Sequence, residues 1–248
     1  MAPSGRQLRW QAQRLFRPAR RALLRHLFRD DNRRLADSIL VAGAARSGTT
    51  WLGDVLAGEN GRILFEPFHP HKIAALRSLS YFPYLRPDEP NEQLAAYARQ
   101  VFSGAVRHPW IDREIGQLRP TFRVIKEIRA NLCLKWFQVH FPEVPQLLIM
   151  RHPCAVALSR RQLGWATDSD ILAFLEQRPL LNDHLAPHRD TINRAHTDLE
   201  KHAVIWCVSH LIPLRQFAPG ELTIIFYEDL CLHPERELAR IERVVGRP

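Results

Sequence analysis

The sequence predicts an α/β protein with a three-layer fold, a central and mostly parallel sheet carrying helices on both faces. Two observations support this. Short apolar runs of strand length, such as Ile39-Leu40-Val41-Ala42 and Gln146-Leu147-Leu148-Ile149-Met150, alternate with longer segments of helical periodicity. A chain of 248 residues, 46% of them hydrophobic, is long enough to bury one large core, and no internal repeat divides it.

Taken in order, the elements begin with a strand at 38–42, a glycine-bounded loop and a helix at 49–57. A short strand follows at Arg62-Ile63-Leu64-Phe65. Residues 67–120 read as irregular and proline-punctuated, with one helix from Asn91 to Phe102 in which Asn91 caps the first turn. Phe122 to Lys126 is a third strand, Asn131 to Val139 a helix that stops before Phe141-Pro142, and Gln146 to Met150 a fourth strand. Pro153 suits the first turn of the next helix. Trp165 to Arg194 carries little periodicity and is expected to form a substrate-facing loop or lid. A helix at Leu199 to Phe217, a strand at Thr223 to Phe226 and a helix at Pro234 to Val245 complete the fold.

The chemistry starts at Gly43-Ala44-Ala45-Arg46-Ser47-Gly48-Thr49-Thr50-Trp51. Between a strand and a helix N-terminus, such a loop points successive backbone N–H groups at one spot, and the helix dipole adds positive potential there, which makes an anion cradle. The Gly-x4-Gly spacing is that of a P-loop, so the expected fold is of the P-loop type. In a nucleoside-triphosphate hydrolase the residue after the second glycine is the lysine that reaches the β- and γ-phosphates; here it is Thr49. The cationic role falls to Arg46, whose guanidinium is always charged and donates bidentately.

A second cluster lies where the fourth strand ends in Arg151-His152-Pro153. Ligands of open parallel sheets bind at the carboxyl ends of strands. Ser159, eight residues after Arg151, lies a little over two helical turns on and can present its hydroxyl toward the same edge. Arg151 and Ser159 together suit one phosphate dianion. The alternative is an Arg151 ion pair and a Ser159 bonded back within its own helix.

The two clusters together resemble the sulfotransferase family, which takes 3′-phosphoadenosine 5′-phosphosulfate (PAPS) as donor and leaves 3′-phosphoadenosine 5′-phosphate (PAP). A third stretch agrees, Leu222-Thr223-Ile224-Ile225-Phe226-Tyr227-Glu228-Asp229-Leu230, which is similar to a late strand and turn of that family. The resemblance spans roughly residues 38–246. It implies that Arg46, Ser47, Gly48, Thr49, Thr50 and Trp51 bind the 5′-phosphosulfate, with Trp51 stacking on the adenine, and that Arg151 and Ser159 bind the 3′-phosphate. Tyr227 is a neighbour of the site and is assigned to core packing. Phe65-Glu66-Pro67 and Val124-Ile125-Lys126-Glu127-Ile128-Arg129 look more like the carbohydrate, tyrosyl-protein and bacterial branches than the cytosolic small-phenol branch, whose Lys-Thr-His arrangement is absent. The sequence ends at Gly246-Arg247-Pro248 without the Arg-Lys-Gly loop of the cytosolic branch. Either this branch does without that loop or the chain is C-terminally truncated.

Transfer of a sulfuryl group to a hydroxyl needs a base within hydrogen-bond reach and cations on the developing charge. Glu66, after the second strand and beside Pro67, is the first choice of base, in line with a Glu at this spacing in the tyrosyl-protein and some bacterial branches. A purely capping or salt-bridging carboxylate is the alternative. Lys126 matches a family lysine that contacts the transferred group, Arg129 suits an anionic acceptor, and Glu127 is the second candidate base, directed by strand alternation away from Lys126. His69, His71 and His152 read as surface residues. The catalytic set is therefore Arg46, Glu66 and Lys126. No Cys/His/carboxylate spacing reads as a metal site, and no metal is expected. The acceptor is expected to be a hydroxyl or amine of a carbohydrate, protein or small molecule. A P-loop kinase and a catalytically silent nucleotide-binding protein remain as alternatives; the kinase lacks the loop lysine and an acidic, Mg²⁺-holding strand end.

Charge is concentrated in the first 34 residues, which hold ten Arg, no Lys and two Asp, a balance of +8 against +9 for the whole chain. Leu8, Leu15, Phe16, Ala19, Leu23 and Leu27 make an apolar stripe there, so residues 1–34 are expected to form a basic amphipathic helix ahead of a domain at 35–248. Such a helix suits its own domain, a second copy of the chain or an anionic membrane surface. No nucleic-acid reader motif is visible. Cys133, Cys154, Cys207 and Cys231 lack Cys-x-x-Cys spacing and read as buried thiols of a reducing compartment. With no transmembrane run and no secretory signal, the expected location is cytoplasmic, with membrane association through the basic helix as an option.

Overall fold

The computed structural model describes residues 27–113, 117–165 and 167–246. Its centre is a five-stranded sheet in the order β2-β3-β1-β4-β5 with every neighbouring pair parallel. The strands are β1 (Ser38–Gly43), β2 (Gly61–Phe65), β3 (Phe122–Glu127), β4 (Gln146–Met150) and β5 (Thr223–Phe226). The principal helices are α1 (Thr49–Ala57), α2 (Glu92–Phe102), α3 (Leu134–His140), α4 (Pro153–Gln162), α5 (Asp168–Leu175), α6 (Asp198–Gln216), α7 (Tyr227–Leu232) and α8 (Pro234–Val245).

Side chains alternate across a strand, so apolar strands buried on both faces read as continuous hydrophobic runs. Leu40, Ala42, Leu64, Ile125 and Leu148 pack on one face with Ala98 and Phe102 of α2 and Trp136 and Phe137 of α3. Ile39, Val41, Val124, Leu147 and Ile149 pack on the other with Leu52 of α1, Leu230 of α7 and Ile241 of α8. The result is the expected three-layer α/β architecture. β1 lies between β3 and β4, and the chain leaves it in both directions, so the crevice at its carboxyl end is a topological switch point.

Local expectations hold where the physics is local. The Asn91 side chain accepts from Leu94 N–H at 2.9 Å and caps α2. The helix expected from Asn131 opens instead as a 3₁₀ turn, Ala130–Cys133, before α3. The stretch 165–194 departs further. It is helical through α5 and a series of short turns to Asn193, and its Phe174, Leu180, Leu185 and Ile192 form a third apolar cluster with Ile205, Val208 and Ile212 of α6. Pro179 and Pro187 divide it into pieces of about one turn, too short for a 3.6-residue period to register. The cysteine expectation also needs correction, since Cys133 is buried but Cys154, Cys207 and Cys231 are exposed. Each of the three sits on the outward side of a surface helix. Among the described residues no helix is long and apolar enough to cross a membrane.

The amino-terminal edge of the sheet is closed by buried charge. Arg62 opens β2 and Arg123 lies next to the start of β3, and Asp30 bridges them, at 2.9 Å to Arg62 and 3.0 Å to Arg123. Asp112 takes the second Arg62 nitrogen at 2.7 Å, and Arg123 also donates to Ser38 Oγ and to the carbonyls of Asn32 and Arg34. Phe28 is buried under the Arg62 and Arg107 guanidinium groups. The packed domain thus reaches back to residue 28, ahead of the expected start at 35. The amphipathic pattern of residues 1–26 lies outside the described residues. Removing one partner of a buried charge cluster leaves the others uncompensated, at a cost of about 3–5 kcal/mol. Asp30→Ala should lower the unfolding free energy in urea by that amount, and a loss below about 1 kcal/mol would show that Arg62 and Arg123 are satisfied without it.

Candidate active site

Gly43 ends β1 where no side chain fits, because a Cβ there would lie 2.6 Å from the Ile149 carbonyl of β4. The chain then turns through Ala44–Gly48 and enters α1. Arg46 has φ 77° and Gly48 φ 95°, so both adopt the left-handed conformation, and at Gly48 a Cβ would also strike the Tyr227 ring at 2.6 Å. Among the described residues the only non-glycine positions with positive φ are Arg46 and Glu66, the latter at 42°. Such conformations persist when the surroundings over-determine them, and they cluster at functional sites.

Each is held in place. The Arg46 carbonyl accepts from Arg151 Nη1 at 3.2 Å and its Nε donates to Ser159 Oγ at 3.0 Å, which joins the glycine loop to β4 and α4. The Arg151 carbonyl accepts from Trp206 Nε1 at 3.0 Å. Glu66 N–H donates to the Lys126 carbonyl at 2.8 Å and its own carbonyl accepts from Trp110 Nε1 at 3.2 Å. The Glu228 carboxylate receives the His152 N–H, so the Tyr227-Glu228-Asp229-Leu230 turn braces the start of α4. His152 caps that helix rather than standing free, its Nδ1 accepting from Cys154 N–H at 3.3 Å.

A cavity of about 390 Å³ opens at this edge of the sheet, within the range of small-molecule sites. The predicted Arg46, Gly48, Thr49, Thr50, Trp51 and Arg151 line it on one side and Glu66 and Lys126 on the other. Ser159 reaches it through Arg46. Ser47 is fully buried and its Oγ has no partner, the condition of a hydroxyl left for a ligand. The loop N–H groups, the left-handed glycine and this orphaned hydroxyl fit an anionic phosphosulfate. Tyr227, assigned from sequence to the core, is half-buried and lines the cavity, with the Trp51 ring 6.5 Å away edge-on and the Arg151 guanidinium 4.7 Å from its centroid. It follows directly on β5, and its ring both packs against the core beneath α1, α7 and α8 and borders the cavity. Arg113 and Trp165 also line the cavity; Trp165 opens the stretch expected to face substrate, whereas Arg113 belongs to no spaced motif and was not legible in the sequence.

Glu66 is buried, with Oε1 2.5 Å from Lys126 Nζ and Oε2 2.5 Å from Arg129 Nη1. Burial by itself pushes its carboxyl pKa up, but the charges and hydrogen bonds of Lys126 and Arg129 together prevail and hold it below the ordinary 4.5. It is ionised at neutral pH. Glu127 is fully buried and faces away from the cavity, its carboxylate taken up by the N–H groups of Phe68, Ile128 and Arg129. It ties the loop carrying Glu66 to the turn carrying Arg129. His69, expected at the surface, is buried beside this group, wedged among His71, Tyr81 and Trp110. Burial, and then the Arg129 charge, push its pKa down to about 4, so it is neutral at pH 7. Among the described residues no cluster of His, Cys and carboxylates could hold a metal.

The fold and the loop define a P-loop-type α/β protein whose glycine loop carries Thr49 where the hydrolases carry lysine, with an arginine, Arg46, earlier in the loop. A sequence model described as the sulfotransferase family matches residues 38–248, and the chain belongs to that family, the PAPS-dependent sulfotransferases. No curated protein sequence matches the chain. Among solved structures, it is similar to a sulfotransferase from Alicyclobacillus acidocaldarius (15% identity, TM-score 0.45, covering 85% of this chain and 81% of that one). It is also similar to the sulfotransferase domain of the curacin biosynthetic pathway (18%, TM-score 0.48, 85% and 74%). A third similar structure is a mouse sulfotransferase, SULT7A1, complexed with PAP (13%, TM-score 0.41, 91% and 63%).

Because Lys126 is one of the two cations that lower the Glu66 pKa, Lys126→Met should raise it, while Arg129 keeps part of the effect. Carboxyl ¹³C NMR titration of the two proteins measures this directly; an unchanged Glu66 pKa would mean that the pair seen here is not formed in solution.

Proposed function

We propose that the protein transfers a sulfuryl group from PAPS to an acceptor hydroxyl or amine by in-line displacement, with Glu66 as base. The observation that carries this reading is the meeting of Arg46 and Arg151, from two separate sequence clusters, with Glu66 and Lys126 on one cavity, Ser159 joining it through its hydrogen bond with Arg46. The loop N–H groups, Ser47 and Arg46 bind the 5′-phosphosulfate, Arg151 and Ser159 the 3′-phosphate, and Trp51 and Tyr227 border the adenine. Glu66 takes the proton of the acceptor hydroxyl as its oxygen bonds to sulfur, while the bond from sulfur to the bridging phosphate oxygen breaks. The electron pair leaves with PAP, whose added charge faces Arg46, Lys126 and the helix N-terminus. Each Glu66 oxygen accepts one cationic donor and retains a second lone pair for the incoming hydroxyl.

The two short ion pairs favour a second reading, in which Glu66 only anchors Lys126 and Arg129 and another group takes the proton. Glu66→Gln separates the two. As a base its loss should reduce turnover by about two to four orders of magnitude while PAP binding persists; near-native turnover would leave Glu66 as an anchor.

The donor reading has its own test. By calorimetry the protein should bind PAP far more tightly than ATP or AMP and without Mg²⁺, and Arg151→Ala should weaken PAP about ten- to a hundredfold, the equivalent of roughly 1.5–3 kcal/mol for a hydrogen bond to a charged group. Equal affinities or a strict Mg²⁺ requirement would remove PAPS as the donor and bring the kinase alternative forward.

A further inference from the structure

A second cavity, of about 680 Å³, lies under α5 and borders the first. Trp165 lines both, and a narrow neck lined by Ala45, Tyr81, Ile128, Arg129 and Trp165 lies between them. A continuous chain of contacts crosses the neck, since Arg129 donates from Nη1 to Glu66 and from Nη2 to the Tyr81 hydroxyl at 2.7 Å. Tyr81 in turn is part of the wall of the larger cavity. The group placed to receive the acceptor proton is therefore two hydrogen bonds from this space.

Charge divides sharply between the two. The smaller cavity is lined by Arg46, Arg113, Lys126 and Arg151 against one carboxylate, Glu66. Among the described residues lining the larger one there is no Lys or Arg; its charged side chains are Asp170, paired to Arg160 at 2.7 Å, and Glu176, which is exposed and makes no ion pair. Aromatic rings supply the rest of its character. Trp165 is 39% exposed, so its ring offers apolar surface to a ligand, and the Arg160 guanidinium lies 5.2 Å from it on α4. The polar groups of Ser80 and Gln177 are engaged with backbone, whereas Ser78 and Ser169 are exposed at the rim.

Resting on the sulfuryl-transfer reading above, we infer that this larger cavity is the acceptor site and that it takes an uncharged, ring-bearing hydroxyl compound, a sugar or phenol ring, in preference to an anionic one. The segregation of charge sends the polyanionic donor to one side of Trp165, while an acceptor carrying its own carboxylate or sulfate meets Glu176 in a cavity whose lining has no Lys or Arg, the nearest being Arg129 and Arg160 in the neck, both already paired with carboxylates. A flat ring with hydroxyls at its edge matches two aromatic walls and a polar rim.

The experiment uses the full chain saturated with PAP, and 4-nitrophenyl β-D-galactoside and 4-nitrophenyl β-D-glucuronide as neutral and anionic probes of one shape. Calorimetry or saturation-transfer NMR should find the galactoside bound about fivefold or more tightly than the glucuronide, with the ratio falling as salt rises. Glu176→Lys should invert the preference. Ser169→Trp, which fills the larger cavity alone, should abolish galactoside binding and leave PAP affinity unchanged. Binding of neither probe, equal binding of both, or a Ser169→Trp protein that still binds galactoside overturns the inference. Failure to bind PAP at all would instead overturn the donor reading, so the two are told apart in the same titrations.

Discussion

Four cations and one carboxylate face a single cavity in this protein, and the carboxylate is what makes that arrangement tolerable before any ligand arrives. Glu66 neutralises Lys126 directly and draws Arg129 into the same group. Without it, two buried cations would stand within a few ångströms of one another, and the cost of burying unpaired charge would oppose the fold at its own active edge. The positive charge of Arg46 and Arg151 faces the same cavity as a polyanionic donor would. Donor binding and charge balance are thus one problem with one solution, and the strained backbone at Glu66 is the local cost of directing that carboxylate inward from the end of a strand.

The same economy appears in the way backbone and side chains divide their tasks. Arg46 uses its carbonyl to receive Arg151 and its side chain to reach Ser159, so residues more than a hundred positions apart become one hydrogen-bonded unit without any element of their own between them. Glu127 does no chemistry in this scheme, yet its three N–H partners lie on the two segments that carry Glu66 and Arg129, and its complete burial is what fixes their separation.

What was legible in the sequence follows from how local the signal is. The strands are uninterrupted apolar runs because helices cover both faces of the sheet, and the glycine loop, Arg151 and Ser159 stand at offsets set by strand ends and helical turns. Asn91 was readable as a cap because its partner is three residues away. Arg113, by contrast, reaches the cavity from a proline-punctuated stretch with no period, and Trp165 from the connection between α4 and α5. Tyr227 has both of the places open to a residue at the end of a buried strand, packed on the core and bordering the cavity, and which part of it faces the cavity depends on the exact point where the strand ends, which periodicity resolves least. His69 was misplaced for a related reason, since its burial is created by Trp110 and Tyr81, which are distant in sequence.

The buried ion cluster at the start of the strands has a bearing on how the molecule is oriented in space. Asp30, with Arg62 and Arg123, fastens the chain to the amino-terminal edge of the sheet, and the residues lining the smaller cavity stand at the carboxyl edge, about 17–20 Å away along strands of this length. The first described residues, 27–30, therefore lie on the side of the sheet remote from the cavity. The two ends of the strands thus serve separate purposes, one locking the fold with buried charge and the other opening onto a cavity.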